Sequence, residues 1–534
     1  MKTDMSKTTI GKKVGIKYKI RSKVVFEHDQ KQIVSDIVVI GSGIAGLSFA
    51  IKAAKFANVI LVTKKKLRDC NSYYAQGGLA AVFDKNDSFE LHKRDTLRAG
   101  DGLCNEKAVE LVVKNAPKQI LWLKNQGIKF DKKLSKEAVH SAPRIVHSGD
   151  ITGENVEKVL INKVRASKKI KIIEDGLVFE LVKEKAKCVG ARLLKDNKII
   201  NISADAVVLA SGGLGRLFKN TCNPKVATGD GFALAYNIGA ALQDMEFVQF
   251  HPTGLYKTTF LISETLRGEG GHLLNNKGES YMIKYHRDGE LAPRDVVSKF
   301  TVDEMKKTKT DRVYLDVRHL GSRYLKKRFP KIYDRCLQEG IDLTKQKIPV
   351  TPTAHYSCGG VKINLKAEST VQGLYAIGEV SCSGLHGADR MASNSLTDCL
   401  VFGDILAKSL RDKKLIVNEI KDKKIKIIKN NYKKIRNEVQ ALMWNKVGII
   451  RTETELRQAL KRFETIKKDL NKIKGINKDI IELKNMVTVS IVITKSAIKR
   501  KESRGTHFLK NFPERNDKKW KKHSIISNSK IAFI

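Results

Sequence analysis

Residues 135–149 read SKEAVHSAPRIVHSG and place Glu137, His140, Arg144 and His147 close together. One carboxylate and several cations at that density suit a ligand that carries both charges, such as an amino dicarboxylate. A salt-bridged surface turn is the competing reading, and on this stretch alone it is the stronger. A second chemical signature is a phosphate cradle. Gly41, Gly43 and Gly46 stand at G-x-G-x-x-G spacing, with Ser42, Ile44 and Ala45 between them. The first glycine makes a tight turn, the second lets a pyrophosphate approach the backbone, and the third lets helix pack on strand. The amide groups of the following helix N-terminus then face the phosphates.

The elements that must hold this cradle are legible around it. Ile37 to Ile40 is a four-residue apolar run, the pattern of a strand buried on both faces, and LSFAIKAAKFA after the glycines reads as a helix. NVILVTKKK reads as the next strand and closes on Thr63 and Lys64, where an NAD site places an acid for the ribose. The missing acid argues against NAD and puts Lys64 beside the adenosine or phosphate part of a different dinucleotide. Three further segments follow the same strand-then-turn logic. ADAVVLASGG (204–213) runs into small residues, TGDG (228–231) opens a helix with Asp230 placed for a polar contact, and GLYAIGEV (373–380) ends in Gly378-Glu379. RMASNSLTDCLVFG (390–403) is a loop feeding a helix near Ser395. Each alone is most often a strand and a turn. In this order they are the signature of a flavoprotein with the two-dinucleotide-binding pattern.

At 534 residues the chain is too long for one core, and about two to four domains are expected. The formal net charge is +44. Lysine is spread from end to end, so the charge is chiefly compositional and would steer an acidic metabolite toward the protein. A basic, RNA-associated protein is the competitor from another class, but no RNA-binding motif supports it, and no nucleic-acid partner is expected. The eight cysteines form no C-x-x-C pair and no zinc spacing, so they read as reduced thiols, without a metal, in a cytoplasmic protein. No apolar run of membrane-spanning length is uninterrupted. Residues 1–32 read as a basic extension lacking the apolar segment of a secretory signal. Near the other end, Leu456, Ala459, Leu460, Phe463, Ile466 and Leu470 recur at helical spacing as a packing stripe. The stretch NDKKWKKHSIISNSKIAFI shows no usable pattern.

The stretches NSYYAQGGLAAVF, FVQFHPTGLY, ETLRGEGGHL, LAPRDVV, PTAHYSCGGV, LYAIGEVSCSGLHGADRMASNSL and RKESRGTHF carry a resemblance. From about Ser35 to about Pro513 the chain resembles the succinate dehydrogenase and fumarate reductase flavoprotein family, and within it the aspartate oxidases. The resemblance implies a Rossmann-like α/β FAD-binding domain in two pieces (33–250 and 355–412), an inserted α+β capping domain (251–354) and a C-terminal helical domain with its tail (413–534).

It also implies roles. Members with covalent FAD carry a histidine where this chain has Asn71, and an amide cannot make that link, so the FAD is expected to be non-covalent. Asn71, Ser72, Tyr73, Tyr74, Ala75, Gln76, Gly77 and Gly78 would line the flavin. Glu379 would hold the ribityl chain, and Ser395 and Leu396 would offer backbone contacts at a helix end that stabilises reduced flavin. A C4 dicarboxylate would be gripped by His251, Thr253, Ser263 and Glu264 on one side and by His355 and Arg390 on the other, Arg390 through two parallel hydrogen bonds. Arg294, in LAPRD, matches the family's catalytic arginine. Arginine is a poor base, so the expected role is electrostatic with a part in proton relay. Glu137 matches a glutamate that faces the substrate ammonium, and its charge would repel succinate.

Two departures stand out. Ala138-Val139 replaces Gly-Gly and threatens the loop that carries Glu137. Asp389 replaces an asparagine beside Arg390 and threatens the carboxylate site. The implied activity is FAD-dependent oxidation of L-aspartate to iminoaspartate, with electrons passed to oxygen or fumarate and the product used by a quinolinate synthase in NAD biosynthesis. A soluble fumarate reductase or succinate dehydrogenase flavoprotein subunit is the nearest alternative, and Asn71 and Glu137 argue against it.

Overall fold

The computed structural model describes residues 23–24 and 31–534, so most of the expected basic extension lies outside the described residues. At its centre is a five-stranded parallel sheet in the order Leu374–Ala376, Ala206–Leu209, Ile37–Ile40, Val59–Val62, Ile170–Ile173. The Ile37–Ile40, Val59–Val62 and Ala206–Leu209 strands are buried along their whole length. That is why they read as continuous apolar runs rather than alternating ones. The helix Ile44–Ala53 leaves the first strand through the glycine turn and packs against Asn394–Arg411.

The turn shows what each glycine is for. Gly41 adopts φ +116°, and a Cβ there would meet Ala210 O at 2.1 Å; a Cβ at Gly46 would meet Gly41 O at 2.0 Å. Both obstacles are backbone, so neither neighbour can swing aside.

Residues between the two halves of this unit form an antiparallel sheet in the order Val248–Leu255, Ile348–Ser357, Val313–Asp316, His272–Leu274, with a hydrophobic cluster of its own around Leu255, Leu315, Phe329 and Val350. The strands Val248–Leu255 and Ile348–Ser357 pair with each other and carry the chain out of and back into the cofactor unit. Beyond it, the helices Lys433–Lys446, Glu453–Asn471 and Lys478–Lys499 pack together. Leu456, Ala459, Phe463, Ile466 and Leu470 are buried as the helical spacing predicts, and Leu460 packs half-buried at the margin.

The stretch that showed no pattern is ordered. Ser524–Ser527 and Lys530–Phe533 form a hairpin whose first strand pairs with Leu242–Gln243. Its two turn residues, Asn528 and Ser529, both have positive φ. That is the geometry of a tight hairpin turn, written here without the glycine that normally announces it.

A valine at position 46 should drive the 44–53 helix off the turn. We expect Gly46→Val to be purified with little bound flavin and to lose about 2 kcal/mol or more of stability. The flavin-to-protein absorbance ratio checks the first expectation, and an unchanged ratio would show that the helix can back away from Gly41.

Candidate active site

One cavity is lined both by the glycine turn and by most of the residues expected to take substrate. On the cofactor side its wall includes Gly41, Ser42, Gly43, Ala45, Lys64, Asn71, Ser72, Tyr74, Ala75, Gln76, Gly77, Gly78, Asp230, Glu379, Ser395 and Leu396. Three expected cofactor residues stand behind it. Ile44 donates its amide to Ser72 Oγ (3.2 Å), Gly46 packs on the turn, and the Tyr73 hydroxyl turns to Glu154 Oε1 (3.2 Å). Lys64 lines the cavity, but its ammonium is engaged by Asp230 (2.7 Å), Glu482 (2.9 Å) and Thr228 Oγ1 (2.6 Å). It therefore carries no free charge toward a phosphate, and Asp230 serves it rather than standing alone.

The cavity fits a flavin dinucleotide on the chain's own features. A Cβ at Gly213 would fall 2.1 Å from Glu379 Oε1, so that glycine is what lets the Glu379 carboxylate reach the cavity wall. Asn71 Oδ1, Gln76 Oε1 and Ser211 Oγ are buried without protein partners. The helices Ile44–Ala53 and Asn394–Arg411 both begin at its wall, through Gly43, Ala45, Ser395 and Leu396. Asn71 Nδ2 donates to Glu379 Oε2 (2.9 Å), and burial pushes the Glu379 carboxyl up to about 7.

On the other side the wall is made by Glu137, His251, Ser263, Glu264, Arg294, His355 and Arg390. Arg294 begins the helix Arg294–Lys307, directly after Pro293. It donates through Nε to Glu264 Oε2 (2.5 Å) and through Nη1 to Gln249 Oε1 (3.2 Å), and its partner is not the neighbouring Asp295. Burial alone would lower the Arg294 guanidinium, but Glu264 and Glu137 outweigh it and keep it firmly protonated. Burial works to raise Glu264, and Arg294 and Arg267 (3.3 Å) overcome it, holding the carboxyl at about 2. Arg390 donates to the same Gln249 Oε1 (3.0 Å), lies 4.8 Å over the Tyr356 ring, and has its Nε buried without a partner.

The rings of His251 and His355 stand 5.3 Å apart. Burial first, then Arg294 for His251 and Arg390 for His355, keeps both imidazoles neutral. His251 Nδ1 accepts from the Thr253 amide (3.3 Å), so its proton is on Nε2. Thr253 is not in the wall; its hydroxyl donates to Ile262 O (2.9 Å) and its amide to His251 Nδ1, so it supports that ring from behind. His355 Nδ1 contacts Cys222 Sγ (3.1 Å).

The charged stretch at 135–149 is not a surface turn. Arg144 is wholly buried and grips Asp87 (2.8 and 2.9 Å) and Asp95 (2.7 Å). It also donates to His140 Nδ1 (3.2 Å), whose Nε2 then donates to Ala392 O (3.0 Å). His147 pairs with Asp131 (2.8 Å). Three of the four groups thus build the loop, and Glu137 alone lines the cavity. Its Oε2 accepts from Ser393 Oγ (2.5 Å), and burial, then Glu264, pushes its carboxyl up. The loop holds Glu137 there despite Ala138-Val139. The cost falls on Val139, a β-branched residue at φ +72°. Asp389 does not pair with the Arg390 guanidinium; its carboxyl accepts from Gln249 Nε2 and from the Arg390 backbone amide (2.9 Å).

The sequence reading missed Gln249, Ser393 and Cys222. Gln249 had a usable signal, since it lies two residues before His251 on a strand, the same-face spacing. Ser393 and Cys222 had none, because tertiary folding alone brings them in.

The comparisons agree with this geometry. Residues 36–396 match a family model described as FAD binding domain, and 436–532 match one described as fumarate reductase flavoprotein C-term. A quinol-fumarate reductase structure with menaquinol molecules superimposes at a TM-score of 0.87, with 30% identity, covering 95% of this chain and 98% of that one. Fold and site thus define an FAD-dependent oxidoreductase of the fumarate reductase flavoprotein type. An L-aspartate oxidase of Yersinia pestis is 40% identical over 90% of this chain and 96% of its own length. A chloroplastic L-aspartate oxidase of rice is 37% identical over 91% and 83%. The chain belongs to the L-aspartate oxidase family.

A left-handed valine costs about 1–2 kcal/mol, more than the entropy a glycine would lose. Val139→Gly should therefore stabilise the flavin-loaded protein by about 0.5–1 kcal/mol, read from its denaturation midpoint. Val139→Ala should recover less. A Val139→Gly midpoint at or below wild type would show that the loop stores no such strain.

Proposed function

We propose that this protein oxidises L-aspartate to iminoaspartate, passing two electrons to oxygen, with formation of hydrogen peroxide, or to fumarate. The observation that carries the reading is Glu137, a buried carboxylate in the same wall as Arg294, Arg390 and two neutral histidines. Two arginines and two histidines suit a dicarboxylate. An added carboxylate suits only a dicarboxylate that also bears an ammonium.

Bound FAD, held without a covalent link because Asn71 stands at the linking position, supplies the electron acceptor. The chain's own groups do the rest. Arg390 and His355 hold one substrate carboxylate. His251, steered by Thr253, and the Ser263 hydroxyl hold the other. Glu137 takes the ammonium at C2. Arg294 stays charged because Glu264 fixes it, so it stabilises developing negative charge. The contiguous Arg294–Glu264–Arg267 pairs offer a route for the proton. Iminoaspartate would then be consumed by a quinolinate synthase on the way to NAD. We place the protein in the cytoplasm, which suits its eight free cysteines. Among the described residues no helix is long and apolar enough to cross a membrane. For domains we propose 33–250 with 355–412 for FAD, 251–354 for the cap and 413–534 for the helical region.

Anaerobic mixing with L-aspartate tests the reading: the flavin should bleach, and it should not with succinate at the same concentration. Glu137→Gln removes a desolvated charge-assisted contact, worth about 1.5–3 kcal/mol, so aspartate efficiency should fall about ten- to a hundredfold. Fumarate reduction should hold or improve. Because the Glu137 carboxyl is pushed up, wild-type efficiency should also fall as pH drops through its raised pKa and the charge is lost; Glu137→Gln should lack that step. Equal losses with aspartate and fumarate would make Glu137 a structural residue. Arg294→Leu should retain FAD and lose most reduction by aspartate, and near-normal reduction would exclude its role. Acid precipitation should leave yellow flavin in the supernatant; flavin in the pellet would refute the non-covalent assignment.

A further inference from the structure

The stretch RKESRGTHF has no part in the reaction as described, yet it reaches the loop that carries Arg390. Thr506, itself buried, donates twice to one carbonyl, Ala388 O, through its amide (3.1 Å) and through its hydroxyl (3.0 Å). Gly505 has φ +47°, and a Cβ there would meet Ala388 O at 2.6 Å and Ala388 C at 2.7 Å, so any side chain at 505 would push that backbone away. On its other side Ala388 donates its amide to Gly100 O (2.9 Å), and a Cβ at Gly387 would meet the same oxygen at 2.4 Å. Asp101 is tied to this segment as well. Its Oδ2 accepts from the Gly505 amide (2.9 Å) and its backbone oxygen from Arg504 Nη1 (2.7 Å). Arg504 is held in turn by the buried Glu502, through Nε (2.7 Å) and Nη2 (3.0 Å). Residues 100–101, 387–388 and 504–506, distant in sequence, thus meet in one close-packed joint.

We propose that Gly505 and Thr506 are positioning residues for the substrate's carboxylate: by fixing Ala388 they set where Arg390 stands, although neither lines the cavity. This rests on the reading above that Arg390 holds one carboxylate of a dicarboxylate. Arg390 lies two residues beyond the joint, and no strand or helix runs through residues 383–393. No regular ladder of hydrogen bonds therefore places its guanidinium. Its backbone oxygen accepts from Gln249 Nε2 (2.8 Å), which anchors it on the strand side, and the joint anchors the loop from the C-terminal side. A forked guanidinium holds a carboxylate only when both N–H groups are aimed, so a small shift of the loop is felt at the ligand. Arg294 is placed differently, by the start of its own helix and by Glu264. The joint therefore bears on one of the two arginines and not on the other.

Succinate is the probe, and its dissociation constant is read from the flavin spectrum of the oxidised, flavin-loaded protein at one fixed pH. Gly505→Ala should raise that constant at least about tenfold. Thr506→Val keeps the amide bond to Ala388 O and removes the hydroxyl bond, so it should raise the constant about three- to tenfold. Thr506→Ser restores a hydroxyl and should stay within about twofold of wild type. The backgrounds separate positioning from general loosening. With Arg390→Leu the added effect of Thr506→Val should shrink below about twofold, and with Glu137→Gln it should persist in full. If Gly505→Ala fails to load flavin, the Thr506 series decides. A Thr506→Val constant equal to wild type, a Thr506→Ser constant as poor as that of Thr506→Val, or an effect undiminished by Arg390→Leu would each overturn the proposal. Flavin reduction by L-aspartate, run on the same preparations, reports separately on the substrate reading. If wild type is not reduced but the succinate constants follow this pattern, the joint stands and the aspartate assignment falls. If wild type does not bind succinate, both fall.

Discussion

Glu264 is the group on which the site's geometry turns. One oxygen takes the Arg294 Nε–H at 2.5 Å, with Arg267 beside it, while the other accepts the Ala138 amide at 3.0 Å. The first oxygen belongs to interactions among residues 264–294. The second reaches the loop that carries Glu137. A single carboxylate thus ties the arginine to the acid that faces it, and it is fully charged because two guanidiniums hold it so. Neutralising it would leave Arg294 and Arg267 buried with one counter-charge fewer, a change that typically costs several kcal/mol.

The same logic extends through the cavity wall. Apart from Arg390, the buried charges named here are either paired or neutralised. Lys64 is spent on Asp230 and Glu482, and Arg144 on Asp87 and Asp95. The histidines are kept neutral, and burial pushes the Glu379 carboxyl up. What remains unpaired is informative. Arg390 Nε and the free oxygens of Asn71 and Gln76 are polar atoms with no protein partner, and all three residues line one cavity. Buried polar atoms are rarely left so, and ligands are the natural partners.

How legible all this was in sequence depended on the kind of constraint. The glycine turn was readable because its demand is local: a backbone oxygen lies where a side chain would go, so composition records it. The buried strands were readable from their unbroken apolar runs, and the 456–470 stripe from its period. The histidines and arginines of the cavity wall are visible only through resemblance to relatives, since no periodicity marks them. Arg144 was misjudged as surface, because burial of a charge is decided by partners at Asp87 and Asp95, far from it in sequence. Thr253 and Lys64 are expected against ligand; Lys64 does line the cavity, while its ammonium is engaged by Asp230 and the Thr253 hydroxyl by Ile262. Nothing in the residue types could tell a hydroxyl that meets substrate from one that holds a histidine. The 524–533 hairpin escaped because its turn lacks glycine and its strands are short.

That hairpin bears on how the molecule is made. Strand Leu242–Gln243 lies between Gly360–Lys362 and Ser524–Ser527, and Asp244 accepts from the Ser524 amide at 3.0 Å. During synthesis the first of these strands leaves the ribosome long before the residues that flank it on the far side. Until residues 524–533 emerge, one edge of this sheet stays open and Asp244 lacks its partner. Folding of this sheet therefore waits for residues 524–533, and chaperone protection of that open edge would matter most in the interval.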